Sequence, residues 1–495
     1  MAECCAQWVQ LLNPKAAMSF SIHRSIRTAS ALCLAFIWAC AQAAPPLPAP
    51  VQQELARQQL PASALGFQVL PLAPNLPSHA VQAERSFNPA SNMKLVTTLA
   101  AVDALGPAWR WTTALYGDGA GNLYLRGGGD PNLGWERLGG MLRTLRNRGV
   151  ATIAGDLVLD RSLFAPARFD LGAPPFDDTP DAAYNVIPDA LNISDYLVTY
   201  NLSSGAAAVS VQTTPPLDAV TVVNRLAPVD APCADWQDAW RRPRVEQDAG
   251  GAVRIVLDGP FPRNCKASVG LATLGRDLYV ERLVRALWRE MGGQWTGRVR
   301  EGVVPPTAEL LVERQFETLG ETIRTVNKLS DGIKARLVYL TLGATAAEGA
   351  GLPTLERARR QVLAWVAAQG VDPAGIVIEN GSGLSRIERI SPAQLSALLR
   401  ASAAHSWYPE FAASLPIAGL DGTLRRRMKD LPTPALARLK TGTLRDVAAL
   451  SGFVRDRKGR DWVVTAFVND PQADRGPAVL DSLIRWVADG AEGVQ

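Results

Sequence analysis

The two ends of the chain carry complementary parts of one α/β unit. Near the C-terminus, the apolar runs 452–454 and 462–468 flank Asp456-Arg457-Lys458-Gly459, which reads as a hairpin turn between two strands. A helix follows, with Leu480, Leu483, Ile484 and Val487 on one face. Near the N-terminus, after a short helix over 51–59, residues 64–72 read as a strand. Residues 89–105 then read as a helix whose apolar set Leu95, Val96, Leu99, Val102 and Leu105 is ended by Gly106-Pro107. The expectation is a discontinuous α/β domain, interrupted by everything between.

What lies between has a different texture. From about 106 to 306 the chain reads as short strands and turns rich in Pro, Gly and Asp. Within it, Leu142-Arg143-Thr144-Leu145 leading to Gly155-Asp156-Leu157-Val158 is echoed by Val284-Arg285-Ala286-Leu287 leading to Gly297-Arg298-Val299. Both segments read as helix, turn, strand. A strand-rich piece around 187–265 separates them. From about Leu310 the pattern is helical again, over 330–342, 355–369 and 392–403.

The chain has 495 residues, 47% hydrophobic and 20% charged, which excludes disorder and a coiled coil and suggests more than one domain. A formal charge of +4 is too small to indicate a nucleic-acid partner. The first 43 residues read as an export leader. His23, Arg24 and Arg27 precede an apolar run over 29–39, and Ala41-Gln42-Ala43 supplies a small-x-small cleavage pattern. That run is too short to cross a bilayer, so the mature chain is expected to have no transmembrane span and to be periplasmic. Met18 is the better start, and lipidation of Cys40 stays open. Of six cysteines, four leave with the leader. Cys233 and Cys265 remain, most simply as a disulfide in an oxidising compartment, with two buried free thiols the alternative.

Lysine is scarce, eight against 43 arginines, so its choice at particular places carries information. A lysine amine can be made neutral at physiological pH and a guanidinium cannot. Ser91-Asn92-Met93-Lys94 is the sole Ser-x-x-Lys, and at helical spacing its two side chains share one face. The amine can take the serine proton if burial or a second cation lowers its pKa. Lys440-Thr441-Gly442-Thr443 precedes an apolar run and reads as an edge strand. There Lys440 would be the second cation, and Gly442 would let an extended substrate approach. Ser330-Asp331-Gly332 opens a helical pattern, and its hydroxyl can relay a proton. Taken singly, the bland readings are a helix cap for Ser91, a solvated lysine for Lys440 and an N-cap for Ser330.

In this order the three segments form the triplet of β-lactamases and penicillin-binding proteins. The placing of Ser330 236 positions after Lys94 sharpens the likeness. So do Asn88-Pro89-Ala90-Ser91, Gly127-Gly128-Gly129-Asp130-Pro131, Gly155-Asp156-Leu157, Gly381-Ser382-Gly383-Leu384-Ser385-Arg386 and Lys440-Thr441-Gly442-Thr443-Leu444. With these the chain resembles the penicillin-binding-protein-4-like D-alanyl-D-alanine carboxypeptidase/endopeptidase family, peptidase family S13. The resemblance implies a β-lactamase/transpeptidase-like α/β domain, an antiparallel sheet flanked by helices, interrupted by one or two smaller strand-rich domains. The expected division is a leader over 1–43 and a catalytic domain over 44–108 and 306–495. An inserted domain would take 109–185 and 268–305, and a nested strand-rich domain 186–267.

It also implies roles. Ser91 would be the acyl-accepting nucleophile, Lys94 its base, Ser330 the donor to the departing D-alanine, and Lys440 a cation that lowers the Lys94 pKa and attracts the substrate carboxylate. Thr441, Gly442 and Thr443 would bind substrate, with the N–H groups of Ser91 and Thr443 as oxyanion hole. Asp178 and Arg386 resemble positions that hold the zwitterionic end of diaminopimelate; a solvated loop acid and a structural ion pair are the alternatives. The implied partners are peptidoglycan peptides and β-lactam inhibitors, with no metal and no cofactor. One departure stands out: Gly332 occupies the place of the Asn in the family's Ser-x-Asn. Three outcomes follow from it, a slowed enzyme, a compensating residue, or a protein that binds peptidoglycan without turning it over. Retained chemistry is favoured because Ser91, Lys94, Ser330 and Lys440 are all present. A Ser-His-Asp esterase is a poor reading, since the chain has no Gly-x-Ser-x-Gly and only His79 and His405 beyond the leader.

Overall fold

The computed structural model describes residues 47–237, 240–431 and 437–491. The expected leader and its four cysteines lie outside the described residues.

The chain's two ends share a sheet. Its strand order is Ala437–Leu444, Val447–Arg455, Asp461–Asn469, Leu65–Pro71 and His79–Val81, with every neighbour antiparallel. The hairpin strands are longer than the sequence suggests, and they read as nearly continuous apolar runs because both faces are covered. Side chains alternate between two cores. Ala449, Phe453, Val463 and Phe467 pack with the helix Met93–Leu105 and its neighbours. Leu450, Val454, Val464 and Val468 pack with Val51 and Leu55 of Ala49–Arg57 and with Val479, Leu483 and Val487 of Gly476–Ala488.

A second five-stranded sheet has the order Val299–Glu301, Leu157–Asp160, Leu123–Arg126, Arg110–Gly117 and Glu309–Thr318. Its first three strands are parallel and the rest antiparallel. The two echoing segments lie side by side here. Trp135–Asn147 and Arg276–Glu290 are helices, each followed by strands that pair in parallel, Thr152–Ile153 with Gln294–Trp295 and Leu157–Asp160 with Val299–Glu301. Between them, Val198–Ser204, Val209–Thr214 and Lys266–Leu271 form one three-stranded sheet, and Val220–Val229, Arg244–Gln247 and Val253–Pro262 another. Cys233 and Cys265 are joined as a disulfide, with Cα atoms 5.3 Å apart.

The sequence reading needs correction around 310–330. The helical pattern expected from Leu310 starts only at Leu319, because Glu309–Thr318 is a strand paired with Arg110–Gly117. Thr318 then caps a helix, Leu319–Leu329, that periodicity did not separate from its successor. The Thr318 hydroxyl accepts from the Glu321 N–H, and the Glu321 carboxylate accepts from the Thr318 N–H. The inserted sheet thereby hands the chain straight to Ser330. Among the described residues, no helix is long and apolar enough to cross a membrane.

Candidate active site

Four elements bring the motifs together. Ser91 lies in a single turn, Ala90–Asn92, that runs into the helix Met93–Leu105. Ala90 has φ 44°, a left-handed conformation that costs a non-glycine residue about 1 kcal/mol. One turn on, the Lys94 amine donates to Ser91 Oγ at 3.0 Å and also to the Ser382 carbonyl. Lys94 is 2% exposed.

Ser330 is not a helix N-cap. It ends Leu319–Leu329 in a left-handed conformation, φ 60° and ψ 35°, and Asp331 caps the next helix, Gly332–Thr345, by accepting from the Lys334 N–H at 3.0 Å. Glycine ordinarily takes such a position, and a serine there costs about 1–2 kcal/mol. The conformation persists because both flanking helices are packed, and it aims the hydroxyl at Lys440, whose amine donates to Ser330 Oγ at 2.8 Å.

Lys440 sits on the edge strand Ala437–Leu444, 0% exposed, and its amine also donates to the Thr441 carbonyl. Thr441 Oγ1 donates to Thr423 Oγ1 at 2.8 Å, while Thr443 is exposed on the same strand. A Cβ on Gly442 would stand 2.8 Å from the Pro89 carbonyl. The glycine is thus needed for the strand to press against the turn that carries Ser91, a close approach the sequence reading assigned to substrate. Asn92 ties the same two elements: its amide donates to the Lys440 carbonyl at 2.9 Å and accepts from Ser451 Oγ at 2.8 Å.

The electrostatics follow from burial. Desolvation pulls the Lys94 amine from its ordinary value down to about 8, and Asp331 and Glu388 oppose the shift. Lys440 is held well below the ordinary lysine range, by burial first and by the Lys94 cation second. The expectation that Lys440 is what depresses Lys94 therefore changes: removal from water is the larger cause and the Arg336 cation adds to it, while the repulsion between the two amines falls on Lys440. A pocket with two buried amines favours the state in which one of them is neutral.

The remaining expected residues lie apart from this centre. Arg386 stacks its guanidinium over Phe176, 5.2 Å from the ring centroid. Both line a cavity of about 840 Å³ with Arg336 and Glu379, and an adjoining one of about 480 Å³ with Asp177. Asp178 lines neither; it is exposed, and its carbonyl accepts from Arg242 at 3.4 Å. Asp177, Asp446 and Asp470 share the smaller cavity with Arg386, and the Asp177 carboxylate is already engaged by Thr179, Tyr184 and Asn185. A Cβ on Gly332 would meet nothing within 4 Å, so no neighbour fills the place of the missing Asn side chain at that carbon.

Sequence reasoning missed Asn92, Thr423, the Ser382 carbonyl and Glu388. The first sits inside a motif as an unspecified position. Ser382 lies in a quoted motif but acts through its backbone carbonyl, on a lysine 288 positions away. Thr423 and Glu388 bond partners 18 and 7–9 positions away, in irregular loops where no periodicity marks them.

The fold and the paired serines and lysines define a β-lactamase/transpeptidase-like protein, with the α/β domain interrupted by strand-rich insertions. Residues 47–489 match the D-Ala-D-Ala carboxypeptidase 3 (S13) family, and the chain belongs to that family. It is 30% identical over 436 residues to the D-alanyl-D-alanine carboxypeptidase of Actinomadura sp. (strain R39), covering 81% of this chain and 77% of the relative. It is 25% identical over 392 residues to the D-alanyl-D-alanine carboxypeptidase DacB of Haemophilus influenzae, covering 77% and 80%. The crystal structure of penicillin binding protein 4 (dacB) from Haemophilus influenzae superposes with a TM-score of 0.71 at 22% identity, covering 88% of this chain and 99% of that one. A second structure of that protein, complexed with a β-lactam, gives 0.68 at 23% identity, covering 88% and 98%. The chain is accordingly an S13 peptidase, a D-Ala-D-Ala carboxypeptidase by class.

Proposed function

We propose that the protein is an exported, periplasmic serine peptidase that acts on the D-alanyl-D-alanine ends and crosslinks of peptidoglycan peptides through an acyl-enzyme on Ser91. The observation that carries this reading is the pair of bonds Lys94–Ser91 and Lys440–Ser330, at 3.0 and 2.8 Å, set where the edge strand presses on the nucleophile's turn. Neutral Lys94 takes the proton as Ser91 Oγ bonds to the scissile carbonyl carbon, and the carbonyl electron pair moves to oxygen. The N–H groups of Ser91 and Thr443 receive that oxyanion. Collapse breaks the C–N bond, and Ser330 relays to the departing amine the proton that Lys94 took, which leaves Lys94 neutral for the hydrolytic step. Water then cleaves the ester. Lys440 and Thr441 hold the terminal carboxylate, and the Phe176–Arg386 cavity takes the zwitterionic side chain of the stem peptide. A β-lactam presents a strained amide to the same serine and stays attached.

The test is covalent labelling by a fluorescent penicillin together with D-alanine release and crosslink cleavage on defined muropeptides. Labelling of the wild type that Ser91→Ala abolishes supports the reading, and an unlabelled wild type refutes it. The open space at Gly332 favours a second reading, a catalytically impaired relative that binds peptidoglycan. That protein would sediment with sacculi and leave their muropeptide profile unchanged.

A further inference from the structure

Ser-Lys pairing does not explain the loop Gly381-Ser382-Gly383, which touches the nucleophile's helix at three points. The Ser382 carbonyl accepts from the Lys94 amine. The Gly381 carbonyl accepts from Thr97 Oγ1 at 2.6 Å, about one turn further along the helix. A Cβ on Gly383 would stand 2.0 Å from the Ala90 carbonyl oxygen and 2.6 Å from Ser91 Cα. Both glycines have left-handed backbone, φ 69° and 76°, so this contour is open to glycine and closed to larger residues.

A carboxylate gives the loop its shape. Glu388 Oε1 accepts the N–H groups of Glu379, Asn380 and Gly381 at 3.2, 3.1 and 3.1 Å. Glu388 is 0% exposed, and its Oε2 is buried with no hydrogen-bond partner among the described residues. Burial pushes the Glu388 carboxyl up, and its three backbone donors and the Lys94 cation pull it back toward the charged form; a buried charge left half-paired is costly unless something compensates it. The groups that act on it electrostatically are Lys94, Arg336 and Tyr339; the Arg336 Nε and the Tyr339 hydroxyl are themselves buried without hydrogen-bond partners among the described residues. Those that act on Lys94 are Asp331, Glu388 and Arg336, with Lys440 beside it.

We propose that Glu388 is a positioning residue for the base: its carboxylate winds residues 379–383 so that the Ser382 carbonyl holds the Lys94 amine against Ser91, and its buried negative charge balances the ammonium formed when Lys94 takes the serine proton. This rests on the acyl-enzyme reading above. It also names what anchors Lys94 in a chain that has glycine at 332: a backbone carbonyl held by an acid, where an amide side chain would otherwise contact the base.

Glu388→Gln keeps the side chain's shape and an acceptor oxygen and removes the charge. Labelling rates with fluorescent penicillin, measured from pH 6 to 9.5, separate charge from packing. With the charge gone, Lys94 holds its proton less tightly, so the rising limb of the profile moves about one unit toward lower pH, and the plateau falls by about tenfold. Glu388→Asp keeps the charge and retracts the carboxylate from the loop; its limb stays at the wild-type pH while its plateau falls. An unmoved limb in Glu388→Gln, whether the plateau is unchanged or falls together with the melting temperature, overturns the proposal. Should Glu388→Gln fail to fold, Glu388→Asp decides: a reduced plateau with an unmoved limb supports it, and a wild-type plateau overturns it. An unlabelled wild type refutes the acyl-enzyme reading and this role with it, whereas a labelled wild type with indifferent variants refutes the role alone.

Discussion

Lys94 is where the proposed chemistry is most exposed to refutation. A lysine in water has a pKa near 10.5, and burial in this pocket brings it to about 8. At pH 7 that leaves roughly a tenth of the molecules with a neutral amine, against about one in three thousand for a solvated lysine, a gain of about 300-fold in competent base. Only the neutral form can accept the Ser91 proton, so the acylation rate should rise about tenfold per pH unit below 8 and level off above it. Lys94→Arg fills similar space with a group that keeps its proton throughout, and should abolish the reaction at every pH. Stopped-flow labelling with a fluorescent penicillin between pH 6 and 9.5 reads both. A flat profile, a limb near pH 10, or an active Lys94→Arg variant would refute burial as the activating device. The same shift has a stability consequence of definite sign. The folded protein binds this proton less tightly than the unfolded chain, so the group's contribution to stability rises with pH between about 8 and 10.5.

Other outcomes can be stated more briefly. Gly332→Asn places a side chain in open space at the first position of a helix, so the melting temperature should hold or rise. Its acylation rate should change by less than about tenfold; a rise of the 10²–10³ typical of restoring one preorganised contact would show that the native site is crippled. Ser330→Ala removes the hydroxyl bonded to Lys440 and should slow D-alanine release by about 10²-fold or more, while folding is retained; an unaffected rate would remove Ser330 from the proton path. Replacing Cys233 and Cys265 by serine opens a link across 32 positions and should cost roughly 3–4 kcal/mol, read as a lower denaturation midpoint; an unchanged midpoint would mean the unfolded chain is not restrained by it. Arg386→Ala should lower kcat/KM by about tenfold on diaminopimelate-bearing stem peptides and little on a bare D-Ala-D-Ala substrate, and equal losses on both would contradict the cavity's assignment.

The sequence alone determined what depends on neighbours along the chain. Apolar runs and turn chemistry marked the C-terminal hairpin, periodicity marked the helix behind Ser91, and the four chemical side chains stood out because lysine is rare and the motifs are short and ordered. The two echoing helix–strand segments were legible for the same reason. Tertiary structure decided what depends on partners far away. Whether a serine caps a helix or ends one in left-handed backbone turns on packing of both flanking helices, and Ser330 took the second course. The path of a loop leaves Asp178 outside both cavities that Arg386 lines and brings Asp177 into one of them. Burial, the larger cause of the Lys94 shift, belongs to no residue's spelling: it arises only when strand, turn and the loop wound on Glu388 close around the amine and exclude water.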